Sequence, residues 1–110
     1  MNITKRTDDS VNIIEFDGKL DYESSQTAHE IVVPDIKDGG KVVLDMSRCF
    51  YIASSGMRVL VVVAKQAALV GCRTVLAGVQ PQVWDVISLT GFEDVLESFP
   101  DADAAVSALK

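Results

Sequence analysis

Two short apolar strands separated by one almost entirely apolar helix constrain the fold of this chain more than any other feature. Residues 41–46 and 73–79 are strand-like runs rich in valine and leucine, and such runs suit strands that are covered on both faces. The segment between them, from Ser55 or Gly56 to Val70, carries its polar side chains on one narrow stripe. Strands that alternate with helices imply parallel pairing and right-handed crossovers. We therefore expect an α/β fold.

The N-terminal third predicts a hairpin followed by a helix. Residues 10–17 are rich in β-branched and aromatic side chains, and residues 3–7 are the expected hairpin partner. Ser24 or Ser25 is the expected cap of the following helix. Because Pro34 lacks a backbone donor and clashes with the preceding turn, we expect that helix to kink or to end early.

The C-terminal third predicts two further helices and at most one short strand. Pro81 suits the first position of a helix, and Gly91 suits its C-terminal stop. Residues 92–99 hold an edge strand at most. Asp101 is the expected cap of a last helix that ends near Leu109.

Length and element order together predict one domain that spans residues 1–110. A chain of 110 residues fits a single hydrophobic core and leaves little room for a second one. We expect a mixed, mostly parallel sheet of four to five strands with an N-terminal hairpin, covered by four helices.

Charge and composition exclude several classes of function. The chain has 10 Lys and Arg residues against 16 Asp and Glu residues, a net charge of −6, so we expect no binding of nucleic acid. One histidine and two cysteines argue against a zinc site or a disulfide scaffold. The N-terminus lacks the apolar run of a signal peptide, and the longest apolar run, residues 59–64, is too short to span a membrane. We expect a cytoplasmic protein with no membrane insertion.

Motifs of the common enzyme classes are largely missing. The sequence has no Gly-x-Gly-x-x-Gly, no phosphate loop and no Gly-x-Ser-x-Gly. Ser54 or Ser55 could form a triad with His29, but only the presence of these residue types supports it. We expect no enzymatic activity, no metal and no cofactor. A small α/β hydrolase or nucleotide-using enzyme is the weakest of the functional alternatives.

Residues 45–60 carry the most informative motif. Ser54, Ser55 and Gly56 lie where a strand-like run passes into the long helix. Backbone amides at a helix start are unpaired, and the helix dipole adds partial positive charge there, so the place accepts an anion without harm to the fold. The simpler interpretation is a serine cap followed by a helix-start glycine. Physical chemistry alone leaves both interpretations open.

The same segment resembles the signature of the anti-sigma factor antagonists of the STAS domain family. From Asp45 to Leu60 it reads Asp-x-Ser, three residues, then Tyr-Ile-x-Ser-Ser-Gly-Met-Arg-Val-Leu. Gly-Lys-Leu-Asp at 18–21 is similar to the family's Gly-x-Leu-Asp, and Leu-Thr-Gly-Phe at 89–92 is similar to the end of its penultimate helix. The similarity covers essentially the whole chain in order and spacing.

The resemblance implies a bacterial binding protein rather than an enzyme. In the family, a serine kinase that is also an anti-sigma factor phosphorylates one serine at this helix start. The unphosphorylated form binds the kinase and so frees a sigma factor for transcription, and a metal-dependent serine phosphatase resets the switch. The phosphoacceptor maps onto Ser54, with Ser55 as the alternative, and Asp21 maps onto a loop aspartate beside it.

The expected partner-binding surface combines the start of the long helix with the loop before the first helix. Its residues are Asp21, Tyr22, Ser54, Ser55, Gly56, Met57, Arg58 and Val61. Many phosphorylated family members have Asp where this chain has Ala53, so a hydrogen-bonding carboxylate next to the acceptor is missing. That departure keeps a second interpretation open: a non-phosphorylated STAS module in a larger complex, such as a stress-signalling scaffold or a lipid transporter.

Overall fold

Strands and helices alternate along the chain in the order that the sequence predicts. The computed structural model describes residues 1–91, 94 and 96–110. Within these residues the strands are β1 (Asn2–Asp8), β2 (Val11–Leu20), β3 (Lys41–Ile52), β4 (Arg73–Ala77) and β5 (Glu97–Phe99). The helices are α1 (Tyr22–Val32), α2 (Ser54–Val70), α3 (Pro81–Leu89) and α4 (Ala102–Leu109), and a 3₁₀ turn, Val33–Asp35, follows α1.

The strands form one sheet in the order β1-β2-β3-β4-β5. The strands β1 and β2 pair antiparallel as the predicted hairpin, and Asp9 and Ser10 close it with positive φ angles of 52° and 69°. The pairs β2–β3, β3–β4 and β4–β5 are parallel. The predicted mixed, mostly parallel sheet is therefore confirmed. Because α1 and α2 both connect parallel neighbours, the two helices run in the same direction.

Helices cover both faces of the sheet. On one face, α1, α2 and α3 pack over a core that includes Phe16, Leu44 and Leu60. On the other face, α4 packs against Ile13 and Val43. The start of α2 lies at the edge where the parallel strands end, which is where connecting loops of such sheets present functional residues.

Both β2 and β3 are longer than the sequence predicts. The strand β2 runs to Leu20, three residues beyond the predicted range of 10–17, and β3 runs to Ile52 rather than to residue 46. Two register shifts in the pairing of β2 with β3 keep the strands together to these ends. Such irregularities depend on both strands and are not visible in either sequence alone. The connection from β3 to α2 is thereby reduced to one residue, Ala53.

Several helix ends follow their local sequence signals. The helix α1 ends before the 3₁₀ turn that holds Pro34, as expected. Gly71 ends α2 in the left-handed conformation, with φ 76°, and Pro81 begins α3. The carboxylate of Asp101 caps α4 by accepting a hydrogen bond of 2.8 Å from the amide of Ala104. Phe92, the last residue of the Leu-Thr-Gly-Phe motif, lies outside the described residues.

Candidate functional site

The residue that caps the start of α2 is not the expected serine. Ala53 is the capping residue, with extended backbone at φ −93° and ψ 172°, and Ser54 is the first residue inside the helix. The amide of Met57 donates a hydrogen bond of 3.0 Å to the carbonyl of Ala53, which closes the first turn. The interpretation of a serine as a plain cap is therefore wrong. An alanine side chain carries no acceptor, so it cannot pair with the first amides of α2.

Gly56 lets the start of α2 approach the end of β2 closely. A Cβ atom at this position would lie 2.5 Å from the carbonyl oxygen of Leu20 and 2.8 Å from its Cγ. Both distances are far below van der Waals contact, so a side chain cannot be accommodated without movement of the backbone. Gly56 is buried and Met57 is only 4% exposed. These two residues therefore support the predicted partner-binding surface from beneath, and little of their own area is accessible to a partner.

The two serines at this helix start open onto different cavities. Ser54, which is exposed, lines a cavity of about 260 Å³ together with Met57, Arg58, Val61 and Thr90. This cavity lies on the side of α2 that faces the end of α3.

Ser55 opens onto a groove of about 380 Å³ between α1 and α2. From α1 the groove is lined by Tyr22, Glu23, Ser25, Gln26 and His29, and from α2 by Ser55, Arg58, Val59 and Val62. Arg58, whose side chain is exposed, lines both this groove and the cavity of Ser54.

Asp21 caps α1, where Ser24 or Ser25 was the expected cap. Its carboxylate accepts a hydrogen bond of 3.1 Å from the amide of Ser24, whose hydroxyl accepts one of 2.9 Å from the amide of Asp21. This capping box holds the pKa of Asp21 below its usual range, mainly because the Ser24 amide stabilises the charged form. Asp21 lines a third cavity, of about 460 Å³, with Lys19 and Phe50. Among the cavities formed by the residues that the structure describes, Asp21 and Ser54 thus line different ones.

The sequence profile described as "STAS domain" matches residues 2–105. This chain belongs to the STAS domain family. A relative from Bordetella bronchiseptica, the candidate anti-sigma factor antagonist BtrV, is 34% identical over 87 residues, which are 79% of this chain and 75% of that protein.

Solved structures share the fold of this STAS domain over nearly its whole length. An anti-sigma-factor antagonist (STAS) domain protein of Planctomyces limnophilus has a TM-score of 0.86 at 18% identity, with 98% of this chain and 97% of that chain covered. The anti-sigma factor antagonist SpoIIAA in its unphosphorylated form has a TM-score of 0.81 at 17% identity, with 98% and 96% covered. The murine anion transporter Slc26a9 has a TM-score of 0.78 at 22% identity, with 91% of this chain but 18% of the transporter covered.

Several exposed apolar residues near the STAS motif are not among the predicted site residues. Phe50 and Tyr51, at the end of β3, are each 49% exposed, and Leu89 at the end of α3 is 87% exposed. The adjacent aromatic pair within the motif indicates such exposure, because two consecutive residues of a regular strand point to opposite faces and cannot both face one core. The exposure of Leu89 and the place of Thr90 beside Ser54 depend on how α3 packs, so the sequence gives no signal for them.

Metal ligands are not clustered in the described part of this STAS domain. Within residues 1–91, 94 and 96–110, no three His, Cys, Asp or Glu side chains come together in a way that could hold a metal ion. Over the same residues, none of the helices combines the length and the apolar character that crossing a bilayer requires.

Proposed function

We propose that this STAS domain is an anti-sigma factor antagonist that binds a serine-kinase anti-sigma factor and so releases a sigma factor for transcription. The exposed hydroxyl of Ser54, at the first position of α2 and at the mouth of a largely apolar cavity, carries the proposal. The likeness to BtrV supports it. Since such partners act on the transcription machinery, we assign the chain to the cytoplasm.

The proposed docking surface consists of Tyr22, Ser54, Ser55, Arg58 and Val61. Tyr22 is 84% exposed, and removing its ring from water on binding is favourable in proportion to the area covered. Arg58 supplies a cation between the two serine cavities. The remaining predicted residues support this surface: Gly56 and Met57 from beneath α2, and Asp21 by capping the helix that carries Tyr22.

Phosphorylation of Ser54 is the proposed switch. The Oγ of Ser54 attacks the γ-phosphorus of the ATP held by the kinase, ADP leaves, and a base of the kinase takes the hydroxyl proton. The phosphate adds about −1.5 to −2 charges at pH 7. The positive end of the α2 dipole tolerates that charge, so the fold of the domain changes little. The kinase surface instead has to desolvate the charge when it binds, which opposes docking.

The proposed reset is hydrolysis of the phosphoserine by a metal-dependent serine phosphatase. Water attacks the phosphorus, inorganic phosphate leaves, and the hydroxyl of Ser54 is regenerated. The metal in this step belongs to the phosphatase. The proposal therefore assigns no cofactor to the STAS domain itself.

Titration calorimetry with an anti-sigma kinase of the same organism tests the switch. We expect Ser54→Ala to bind with the affinity of the wild type, and Ser54→Asp to bind at least about tenfold more weakly, which corresponds to about 1.4 kcal/mol. Ser107→Asp adds the same charge on α4, on the opposite face of the sheet, and is expected to bind normally. If Ser54→Asp binds as tightly as the wild type, the switch at this serine is wrong.

An unswitched STAS module in a larger complex, such as a stress-signalling scaffold or a lipid transporter, is the second candidate. Ala53 favours it, because the carboxylate found beside the acceptor in many phosphorylated members is missing. The shared fold with Slc26a9 gives it a precedent. Incubation with the kinase and ATP, followed by mass spectrometry, separates the candidates. Phosphate on Ser54 or Ser55 contradicts the unswitched module, and an unmodified chain contradicts the switch.

A further inference from the structure

The exposed face formed by α1 and α2 carries charges in a self-complementary pattern. The acidic residues Glu23 and Glu30 lie on α1, and the basic residues Arg58 and Lys65 lie on α2, all four with exposed side chains. Within each pair the two residues are seven positions apart, which is two helical turns and about 10.5 Å along the axis. Although the chain has a net charge of −6, α2 contains no acidic residue.

The four charges are available to a second molecule. Among the ion pairs formed by residues 1–91, 94 and 96–110, none includes Glu23, Glu30, Arg58 or Lys65. Apolar side chains accompany these charges on the same face: Tyr22 on α1 and Val62 on α2, the latter 40% exposed. A face of this kind combines apolar area with charges of both signs, as expected of a specific interface.

The acidic and the basic residues have the same spacing along helices of the same direction. Glu23 and Arg58 line the same groove between the helices, and α1 and α2 run in the same direction because both cross over between parallel strands. Glu30 and Lys65 each lie two turns further on in that direction, so the offset along the groove between Glu30 and Lys65 equals the offset between Glu23 and Arg58. A twofold axis along the groove brings α1 of one copy over α2 of the other without changing the position of any residue along the groove.

From this arrangement we propose that the α1–α2 face binds the same face of a second copy of the chain. Glu23 of each copy then meets Arg58 of the other, and Glu30 meets Lys65, which gives four ion pairs around Tyr22 and Val62. The interface is isologous, so it closes as a dimer and does not propagate. It covers Tyr22, Ser55 and Arg58, so self-association competes with any partner that docks there. The proposal does not depend on the function proposed above, because it concerns the isolated chain.

Sedimentation equilibrium of the purified chain over a range of concentrations tests the dimer. We expect the wild type to shift from one chain to two as its concentration rises, and the shift to weaken at high salt. The double variants E23K/E30K and R58E/K65E each place like charges opposite one another. Each should raise the dimer dissociation constant at least about tenfold, since four attractive pairs become repulsive.

Mixing the two reversed variants gives the decisive measurement. One has two basic helices and the other two acidic helices, so an equimolar mixture restores all four opposite-charge pairs and should dimerise as a heterodimer. The control D85K/D103K makes the same change in net charge as E23K/E30K, but on α3 and α4, and should dimerise like the wild type. Circular dichroism verifies that every variant is folded. A wild type that stays monomeric throughout, or a mixture of reversed variants that does, overturns the proposal.

Discussion

The backbone amide of Ala53 donates a hydrogen bond of 2.9 Å to the carbonyl oxygen of Leu20. This bond joins the residue before α2 to the last residue of β2, and so couples the two segments that form the proposed docking surface. Leu20 is followed by Asp21, which caps α1. The starts of both helices are therefore positioned by one strand end, and a change at this junction should affect both.

Replacement of Gly56 by alanine should destabilise the fold by about 2 kcal/mol. Alanine is the better helix former by about 1 kcal/mol, but its Cβ would lie 2.5 Å from the carbonyl oxygen of Leu20. A backbone oxygen in a hydrogen bond cannot yield cheaply, so the clash dominates. Urea unfolding measures the change. The neighbouring Ser55→Ala should alter stability by less than about 0.5 kcal/mol, and equal stabilities for Gly56→Ala and the wild type would contradict the close approach.

Replacement of Ala53 by aspartate should stabilise the domain by about 1 kcal/mol. The residue already has the extended backbone of a capping position, and an aspartate there accepts a hydrogen bond from the first amides and favours the helix dipole. Thermal unfolding measures the gain. Ala53→Val, which supplies no acceptor and is as poor a capping residue as alanine, serves as the control and should not produce it. A lower melting temperature for Ala53→Asp would show that this helix start has no room for a cap.

Replacing Asp21 by an uncharged residue should reduce the loss of unfolding free energy that the wild type shows as the pH falls. Because the pKa of Asp21 is lowered in the folded state, its carboxylate stabilises the fold above its ordinary pKa of 3.8, and this contribution is lost as the pH falls through the lowered value. Asp21→Asn retains a capping oxygen but does not titrate. Urea midpoints measured from acid to neutral pH should show a smaller acid loss for Asp21→Asn than for the wild type. The same slope in both proteins would refute this linkage, and Asp103→Asn provides a surface control.

The thiol of Cys49 should resist modification in the native protein. Cys49 is fully buried, and this burial raises the pKa of its thiol above the usual 9.0, so the reactive thiolate is scarce at neutral pH. In a Cys72→Ser variant, which leaves Cys49 as the single cysteine, the thiol should react with a disulfide reagent only when the protein unfolds globally. The rate is measured by absorbance with and without urea. Labelling as fast in buffer as in urea would mean that Cys49 is reached without unfolding.

The features that were predicted correctly have local signals in the sequence. The helix α2 ends at Val70 as predicted, before the left-handed Gly71, and Pro81 begins α3, because a left-handed residue and a fixed φ angle are properties of single positions. Asp101 caps α4 for the same kind of reason. The mixed parallel sheet was predictable because strand–helix–strand order leaves few topologies.

The failures have a common physical cause in pairing between distant segments. The strand β3 continues to Ile52 because β2 remains beside it through two register shifts, and this continuation moves the start of α2 to Ser54. Asp21, rather than Ser24 or Ser25, caps α1 because the strand end fixes where the chain turns into the helix. The separation of the two serine cavities depends on where α1 and α3 pack against α2. No local pattern contains that information.

The neighbouring hydroxyls of Ser54 and Ser55 at the beginning of α2 are not equivalent positions for a modification. Consecutive residues of a helix point in directions about 100° apart. A phosphate moved by one position along the chain would therefore face different neighbouring residues. If a kinase phosphorylated Ser55 instead of Ser54, the net charge of the protein would be the same, but the phosphate would lie on a different side of α2.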